Sequence, residues 1–165
     1  MTQKKNGGFT LIELVVVVAI IGIMVAILAL STSAAVSARS KSCAVQIGDY
    51  LAKCRLGCLS RAGTSYMTVA MDDKRNCVLS YCENGSDSYT GGTVVSSSTV
   101  AAAGVSIAVN GTALAAGDSL AFSFTRGSGA LRQPEGSGNL VIAVSGGGQD
   151  RSITITRSTG AIART

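Results

Sequence analysis

Hydrophobic residues are concentrated in one long run near the N-terminus. The first eight residues are polar and include two lysines, whereas no residue from Leu14 to Leu30 is charged. A helix over that run rises roughly 26 Å, close to the ~30 Å hydrocarbon core of a bilayer, and Phe9 to Ile12 extends it backwards. The pattern predicts a membrane-spanning helix over residues 9–30. Because the lysines precede it, we expect a cytoplasmic N-terminus and a translocated C-terminal part.

The next segment, residues 31–59, has an amphipathic pattern. Its apolar positions recur mostly at steps of three and four residues: Val36, Cys43, Ile47, Tyr50, Leu51, Cys54 and Cys58. This spacing predicts that the helix continues and presents one apolar stripe to a partner surface. We therefore expect a nearly continuous helix from Phe9 to about Leu59.

Residues 60–165 have the pattern of short strands and turns, and we expect them to form a globular β domain. Alternating apolar and polar residues predict these strands: Tyr66–Met71, Cys77–Tyr81, Val105–Val109, Ala113–Leu114, Leu120–Phe124, Leu140–Val144, Ile153–Ile155 and a last one after Gly160. Asn110-Gly111 is a strong hairpin signal, because both turn positions favour positive φ. Three segments are expected to be loops: Glu83–Ser98, Gly127–Gly138 and Ser145–Asp150. The predicted fold class is α+β, with the long helix packed on an antiparallel sheet.

The composition disfavours several classes of function. The chain has no histidine, which removes the most common general base and metal ligand, and no paired carboxylates or Ser/Lys site replace it. We therefore expect no catalytic residues, no cofactor and no metal, and hence no enzyme. The net charge of +5 comes from scattered Lys and Arg residues, so no specific nucleic-acid binding is expected.

Glu13 is a charged residue at the edge of the apolar run. A carboxylate inside a membrane segment costs roughly 2.5–3.5 kcal/mol on insertion scales, so an ordinary signal anchor does not explain it. A secretory signal peptide with small residues near Ala34-Ala35 is another interpretation, but its apolar core would be shorter. If the bond between Gly8 and Phe9 is cut, the new Phe9 amine lies one helical turn from Glu13. An amine from a neighbouring subunit could then neutralise the carboxylate and set the axial register between helices.

The segment from Gly8 to Leu14, Gly-Phe-Thr-Leu-Ile-Glu-Leu, resembles the cleavage and methylation motif of type IV prepilins and type II secretion pseudopilins. The resemblance implies that prepilin peptidase removes residues 1–8 as a leader and that Phe9 is N-methylated. It also implies assembly into a helical filament through Phe9 and Glu13. Major pilins often carry a glycine where Gly22 stands and a proline eight residues later, where this chain has Leu30, so local melting of the helix is less expected.

The last fifty residues resemble GspH/FimT-type minor pilins more weakly. The shared pattern is a strand, a Gly-rich loop, a strand and the segment Arg151–Arg157 before a glycine turn. This resemblance implies two small β-sheets packed on the helix, in place of one.

Five cysteines are present: Cys43, Cys54, Cys58, Cys77 and Cys82. The first three fall within roughly 60° of one another around the helix, on the stripe expected to meet the sheet. For a domain outside the cytoplasm, our hypothesis is two disulfides joining Cys54 and Cys58 to Cys77 and Cys82, with the pairing open and Cys43 as the free thiol. The alternatives are buried thiols acting as small hydrophobic side chains and, with irregular spacing against it, a zinc site.

These features indicate a structural subunit, a minor pilin or pseudopilin, of a type IV pilus or type II secretion filament. Its expected partners are other pilin or pseudopilin subunits, prepilin peptidase, an inner-membrane assembly platform and, before assembly, the lipid bilayer. We expect a single-pass membrane protein that becomes part of an extracytoplasmic filament. The alternatives are a monomeric membrane-anchored adhesin and a secreted enzyme.

Overall fold

The computed structural model of the chain describes residues 9–60, 63–86 and 88–165, without the side chains of residues 28–31. The expected leader, Gly8 included, lies outside the described residues. One helix of 50 residues, α1 (Leu11–Ser60), comes first. Ten strands follow in the described part of the chain: β1 (Thr64–Met71), β2 (Asn76–Asn84), β3 (Thr93–Ala101), β4 (Ser106–Val109), β5 (Thr112–Ala113), β6 (Ser119–Phe124), β7 (Leu131–Gln133), β8 (Leu140–Gly146), β9 (Gln149–Ile155) and β10 (Ile162–Arg164).

The strands form two five-stranded antiparallel sheets against which the second half of α1 packs. The first sheet has the order β3-β2-β1-β6-β7 and the second the order β10-β9-β8-β4-β5. Both sheets contact α1. The predicted fold class, a long N-terminal helix on antiparallel β structure, is confirmed, and of the two expected arrangements, one sheet or two small sheets, the structure has two sheets.

The core lies between α1 and the two sheets, and most of its side chains are small or medium aliphatic ones. On α1 the stripe that enters it includes Cys43, Ile47 and Leu51, all with no exposed surface. The largest fully buried side chain of the core is Phe122 on β6. Burying each such side chain contributes roughly 1.5–3 kcal/mol. The stripe predicted from the apolar spacing is therefore the packing face.

Alternation along β1 and β2 divides their side chains between two faces of the first sheet. Met67 and Met71 of β1 belong to the core under α1, and they pair across the ladder with Tyr81 and Cys77 of β2. Tyr66 and Cys82 are also paired and buried, but they lie outside this core cluster. Because successive side chains of a strand point to opposite faces, Cys77 and Cys82, five positions apart, occupy different faces of the sheet.

The second sheet approaches α1 closely at the turn between β8 and β9. Gly147 has a φ of 64°, and a Cβ added there would lie 2.5 Å from both the Ser33 carbonyl oxygen and the Ser37 amide nitrogen. Nearby, the buried Ser40 hydroxyl accepts a 2.8 Å hydrogen bond from Arg151 of β9. The absence of a side chain at Gly147 lets this hairpin seat directly on the helix backbone.

Three segments expected to be loops contain strands. Glu83–Ser98 includes the end of β2 and most of β3, and Gly127–Gly138 includes β7. Ser145–Asp150 is the paired end of the β8–β9 hairpin, where Gly146 lies opposite Gln149 across a two-glycine turn. The Asn110-Gly111 hairpin is as predicted, with φ values of 49° and 83°. The strands missed are the two edge strands of the first sheet, β3 and β7, and the ends of other strands, where few apolar side chains are buried and the alternation is weak.

Candidate functional site

The first half of α1 projects from the domain with its apolar side chains exposed. Phe9 is 90% exposed and Leu11 is 83% exposed, and every large hydrophobic side chain described from there to Ile27 is exposed. This is the one helix in the described residues that is long and apolar enough to cross a membrane by length and composition. Exposing such a surface to water is unfavourable, so we expect it to be covered by lipid or by other helices.

Glu13 takes part in a capping box at the start of this helix. Its Oε2 accepts hydrogen bonds from the Thr10 backbone N–H and from the Thr10 hydroxyl, both at 2.9 Å. The Glu13 backbone N–H in turn donates to the Thr10 hydroxyl oxygen at 3.3 Å. This reciprocal pair satisfies backbone donors that the first turn of a helix leaves without an internal partner.

Thr10 is a member of the site that the sequence analysis missed. The signal was present, since Thr-x-x-Glu before an apolar run is the sequence signature of a capping box. Both partners lie on the C-terminal side of the bond between Gly8 and Phe9, so cleavage there would leave the cap intact. The cap therefore gives Glu13 a structural role beside the charge-pairing role expected from the sequence.

The carboxylate is set in apolar surroundings. Glu13 lines a shallow apolar groove together with Phe9, Ile12, Val16 and Val17. Phe9 directly precedes the capping residue Thr10, outside the helix, and it lines this groove together with Glu13. The structure brings these two expected assembly residues together in one groove at the N-terminal end of an exposed apolar helix.

The five cysteines are all buried and unbridged in the structure. Cys54 and Cys58 of α1 lie against the central part of the first sheet, where their thiols approach the backbone carbonyl oxygen of Ser65. Cys82 occupies the other face of that sheet, away from α1. The bridges expected between Cys54 or Cys58 and Cys82 do not fit this arrangement, because the sheet separates the two sides.

The cysteines instead adjoin one another in a different pattern. The Cys43 thiol interacts with that of Cys77, which lowers the pKa of Cys43 and raises that of Cys77. The Cys54 thiol interacts with that of Cys58, one helical turn away, and this contact is the main cause that lowers the pKa of Cys58 to about 6. The described residues contain no cluster of three or more His, Cys, Asp or Glu side chains placed to hold a metal ion.

Cys58 is expected to be nucleophilic at neutral pH. Hydrogen bonding by Cys54 and Ser123 favours its thiolate, and it borders a small cavity that Arg126 and Arg132 also line. Its alkylation rate should rise as the pH passes through about 6 and level off by pH 8, because the thiolate is the reacting form. Timed iodoacetamide labelling, followed by mass spectrometry of the peptide Leu56–Arg61, measures this profile. A rate that still climbs between pH 8 and pH 9 would contradict it.

Comparisons with known proteins agree with these features. Residues 3–29 match the family model described as the prokaryotic N-terminal methylation motif. The fold is similar to the crystal structure of the type IV minor pilin FimU of Pseudomonas aeruginosa. The TM-score is 0.50 at 19% sequence identity, over 76% of this chain and 87% of that chain. No curated protein matches the sequence. The chain thus joins a prepilin-type methylation motif to a pilin-like fold.

Proposed function

We propose that the protein is a minor pilin or pseudopilin, a structural subunit of a type IV pilus or type II secretion filament. The observation that carries this proposal is Glu13, a capped carboxylate at the start of an exposed helix whose following residues are uncharged through Leu30. In a lone membrane anchor the carboxylate would cap the helix, but its charge would have no partner in the apolar phase. In a filament, where copies of this helix pack side by side, the Glu13 carboxylate can pair with the N-terminal amine of a neighbouring subunit.

Processing is the first step of the proposed pathway. Prepilin peptidase cuts between Gly8 and Phe9, and the new Phe9 amine is then N-methylated. Before assembly the chain crosses the inner membrane once, with the β domain outside the cytoplasm. The assembly platform then moves subunits from the bilayer into the filament, where the first half of α1 packs among other pilin or pseudopilin helices.

In the filament, the Glu13 carboxylate pairs with the Phe9 amine of a neighbouring subunit. Two charges that would each be costly in the apolar interior then compensate each other. The exposed groove beside Glu13, lined by Phe9, Ile12, Val16 and Val17, supplies the apolar contact around the pair. The β domain, packed on the second half of α1, lies at the filament surface or tip.

Processing predicts a defined N-terminus. Intact mass and N-terminal sequencing of the protein from its native membrane should give a chain that begins at N-methylated Phe9. Replacing Gly8 with Val should leave Met1 in place, because the side chain blocks the peptidase at the cleaved bond. Gly7→Val, one residue further away, is the matched control and should be processed. A wild-type chain that keeps Met1 would indicate an anchored adhesin, and one that begins after Ala35 would indicate a signal peptide.

A further inference from the structure

Two polar contacts fix where α1 crosses the edge of the first sheet. The Arg39 guanidinium donates a 3.3 Å hydrogen bond to the Ala103 carbonyl oxygen, just beyond β3. About two helical turns later, the Gln46 side-chain oxygen accepts a 2.8 Å hydrogen bond from the Ser98 hydroxyl on β3. Cys43 lies between these two positions on α1.

The same two contacts bracket Cys77 on the sheet side. Within the β2–β3 ladder Cys77 pairs with Val100, which lies between Ser98 and Ala103 along the chain. Cys77 also faces the core under α1, as its neighbour Met71 does. The register of helix on sheet therefore places Cys43 over Cys77, near enough for the two thiols to interact, and neither residue has exposed surface.

We propose that Cys43 and Cys77 form a disulfide that ties α1 to β2. This proposal rests on the proposed function, because a disulfide persists only if the β domain lies outside the cytoplasm. The two thiols lose two electrons and two protons to the disulfide of an extracytoplasmic thiol–disulfide oxidant, whose own disulfide is reduced to two thiols. Since both sulfurs are buried in the folded domain, the exchange takes place while α1 docks on the sheet.

The other cysteines are less suited to hold helix and sheet together. Cys54 and Cys58 belong to the same helix, so a bridge between them would leave α1 free to leave the sheet. Cys82 lies on the opposite face of the sheet from α1. A Cys43–Cys77 bridge closes a long loop, from the middle of α1 to the start of β2. Closing a long loop lowers the entropy of the unfolded chain more than closing a short one, and so stabilises the folded domain more.

The bridge lies where tension on a filament subunit would separate α1 from the sheets. A pull along the filament acts on the first half of α1, whereas the β domain is held through the second half. The bridge lies between the point where α1 first meets the second sheet, at Gly147, and the deep core around Leu51. The bridge is therefore a covalent bond that prevents α1 from peeling away from the sheets.

Peptide mapping of the full-length protein tests the bridge. Protein from the native membrane is alkylated under denaturing, non-reducing conditions and digested with trypsin and chymotrypsin, which cut after Lys41 and Lys53 around Cys43 and after Tyr81 between Cys77 and Cys82. The expected result is a linked pair of peptides that contain Cys43 and Cys77. Protease accessibility of the β domain in spheroplasts is measured in parallel. Five alkylated thiols in a domain shown to be exported, or a link from Cys77 to Cys54 or Cys58, would overturn the bridge and leave the proposed function intact.

Thermal unfolding gives a second, independent test. Cys43→Ala and Cys77→Ala should each lower the Tm by roughly 10 °C, and the double variant should be no less stable than either single variant. A reducing agent should lower the Tm of the wild type and leave that of the variants unchanged. Cys82→Ala is the matched control and should keep the response to reductant. A wild-type Tm that does not respond to reductant would contradict the proposal.

Discussion

Glu13→Gln is expected to leave the chain in the membrane and to reduce its incorporation into filaments by roughly a hundredfold. Removing one partner of a buried ion pair leaves the other charge uncompensated, at a cost of about 3 kcal/mol or more. Glutamine is nearly isosteric and is accepted at the third position of a capping box, so the contacts with Thr10 are kept. The measurement compares the amount of subunit in sheared filaments with the amount in the membrane fraction.

Thr10→Val separates the two roles of Glu13. It removes the hydroxyl that bonds the carboxylate and caps the helix, but it keeps the negative charge. Losing a helix cap costs about 1 kcal/mol, so incorporation should fall by less than tenfold. If Glu13 acted through the cap alone, the order would be reversed, with Thr10→Val defective and Glu13→Gln near normal. Such a result would remove the charge pair from the mechanism.

The N-terminal site could be predicted from the sequence because all its determinants are local. Phe9, the capping residue Thr10 and Glu13 lie within five consecutive residues, so their spacing along the chain largely fixes their relation in space. The methylation motif could be predicted for the same reason, and a family model matches it over residues 3–29. The one feature missed, the cap by Thr10, was equally local.

The cysteine arrangement could not be predicted in the same way, because it depends on the register of helix on sheet. Helical spacing correctly grouped Cys43, Cys54 and Cys58 on the packing face of α1. Nothing local specifies which turn of α1 lies over which residue of β2. The sequence did show, however, that Cys77 and Cys82 point to opposite faces of a strand, because they are an odd number of positions apart.

The two sheets meet at a junction that sequence patterns do not show. Arg55 of α1 donates to the Gly129 carbonyl oxygen in the turn after β6 and, at 3.0 Å, to the Thr159 carbonyl oxygen in the turn after β9. The Leu131 backbone N–H of β7 donates to the Arg157 carbonyl oxygen at 2.9 Å. One turn from each sheet is thus held against the other beneath the helix.

Gly160→Ala is expected to destabilise the domain by about 3 kcal/mol. Gly160 is buried in this junction with a φ of 63°, where a side chain costs about 1 kcal/mol or more. A Cβ there would also overlap the Gly129 carbonyl oxygen, so the backbones of the two turns must move apart, at about 1–3 kcal/mol. Chemical denaturation of the full-length protein in detergent measures the change in the free energy of unfolding.

Gly127→Ala is the matched control, because it places a side chain at a positive φ without bringing it against the other turn. Gly127 lies in the turn between β6 and β7 with a φ of 94°, and a Cβ added there meets no atom within 4 Å. Its substitution should cost about 1 kcal/mol, from the positive φ alone. Equal losses for the two variants would mean that backbone conformation, not contact between the turns, makes Gly160 necessary. A larger loss at Gly160 would show that the two sheets are held together where their turns meet under Arg55.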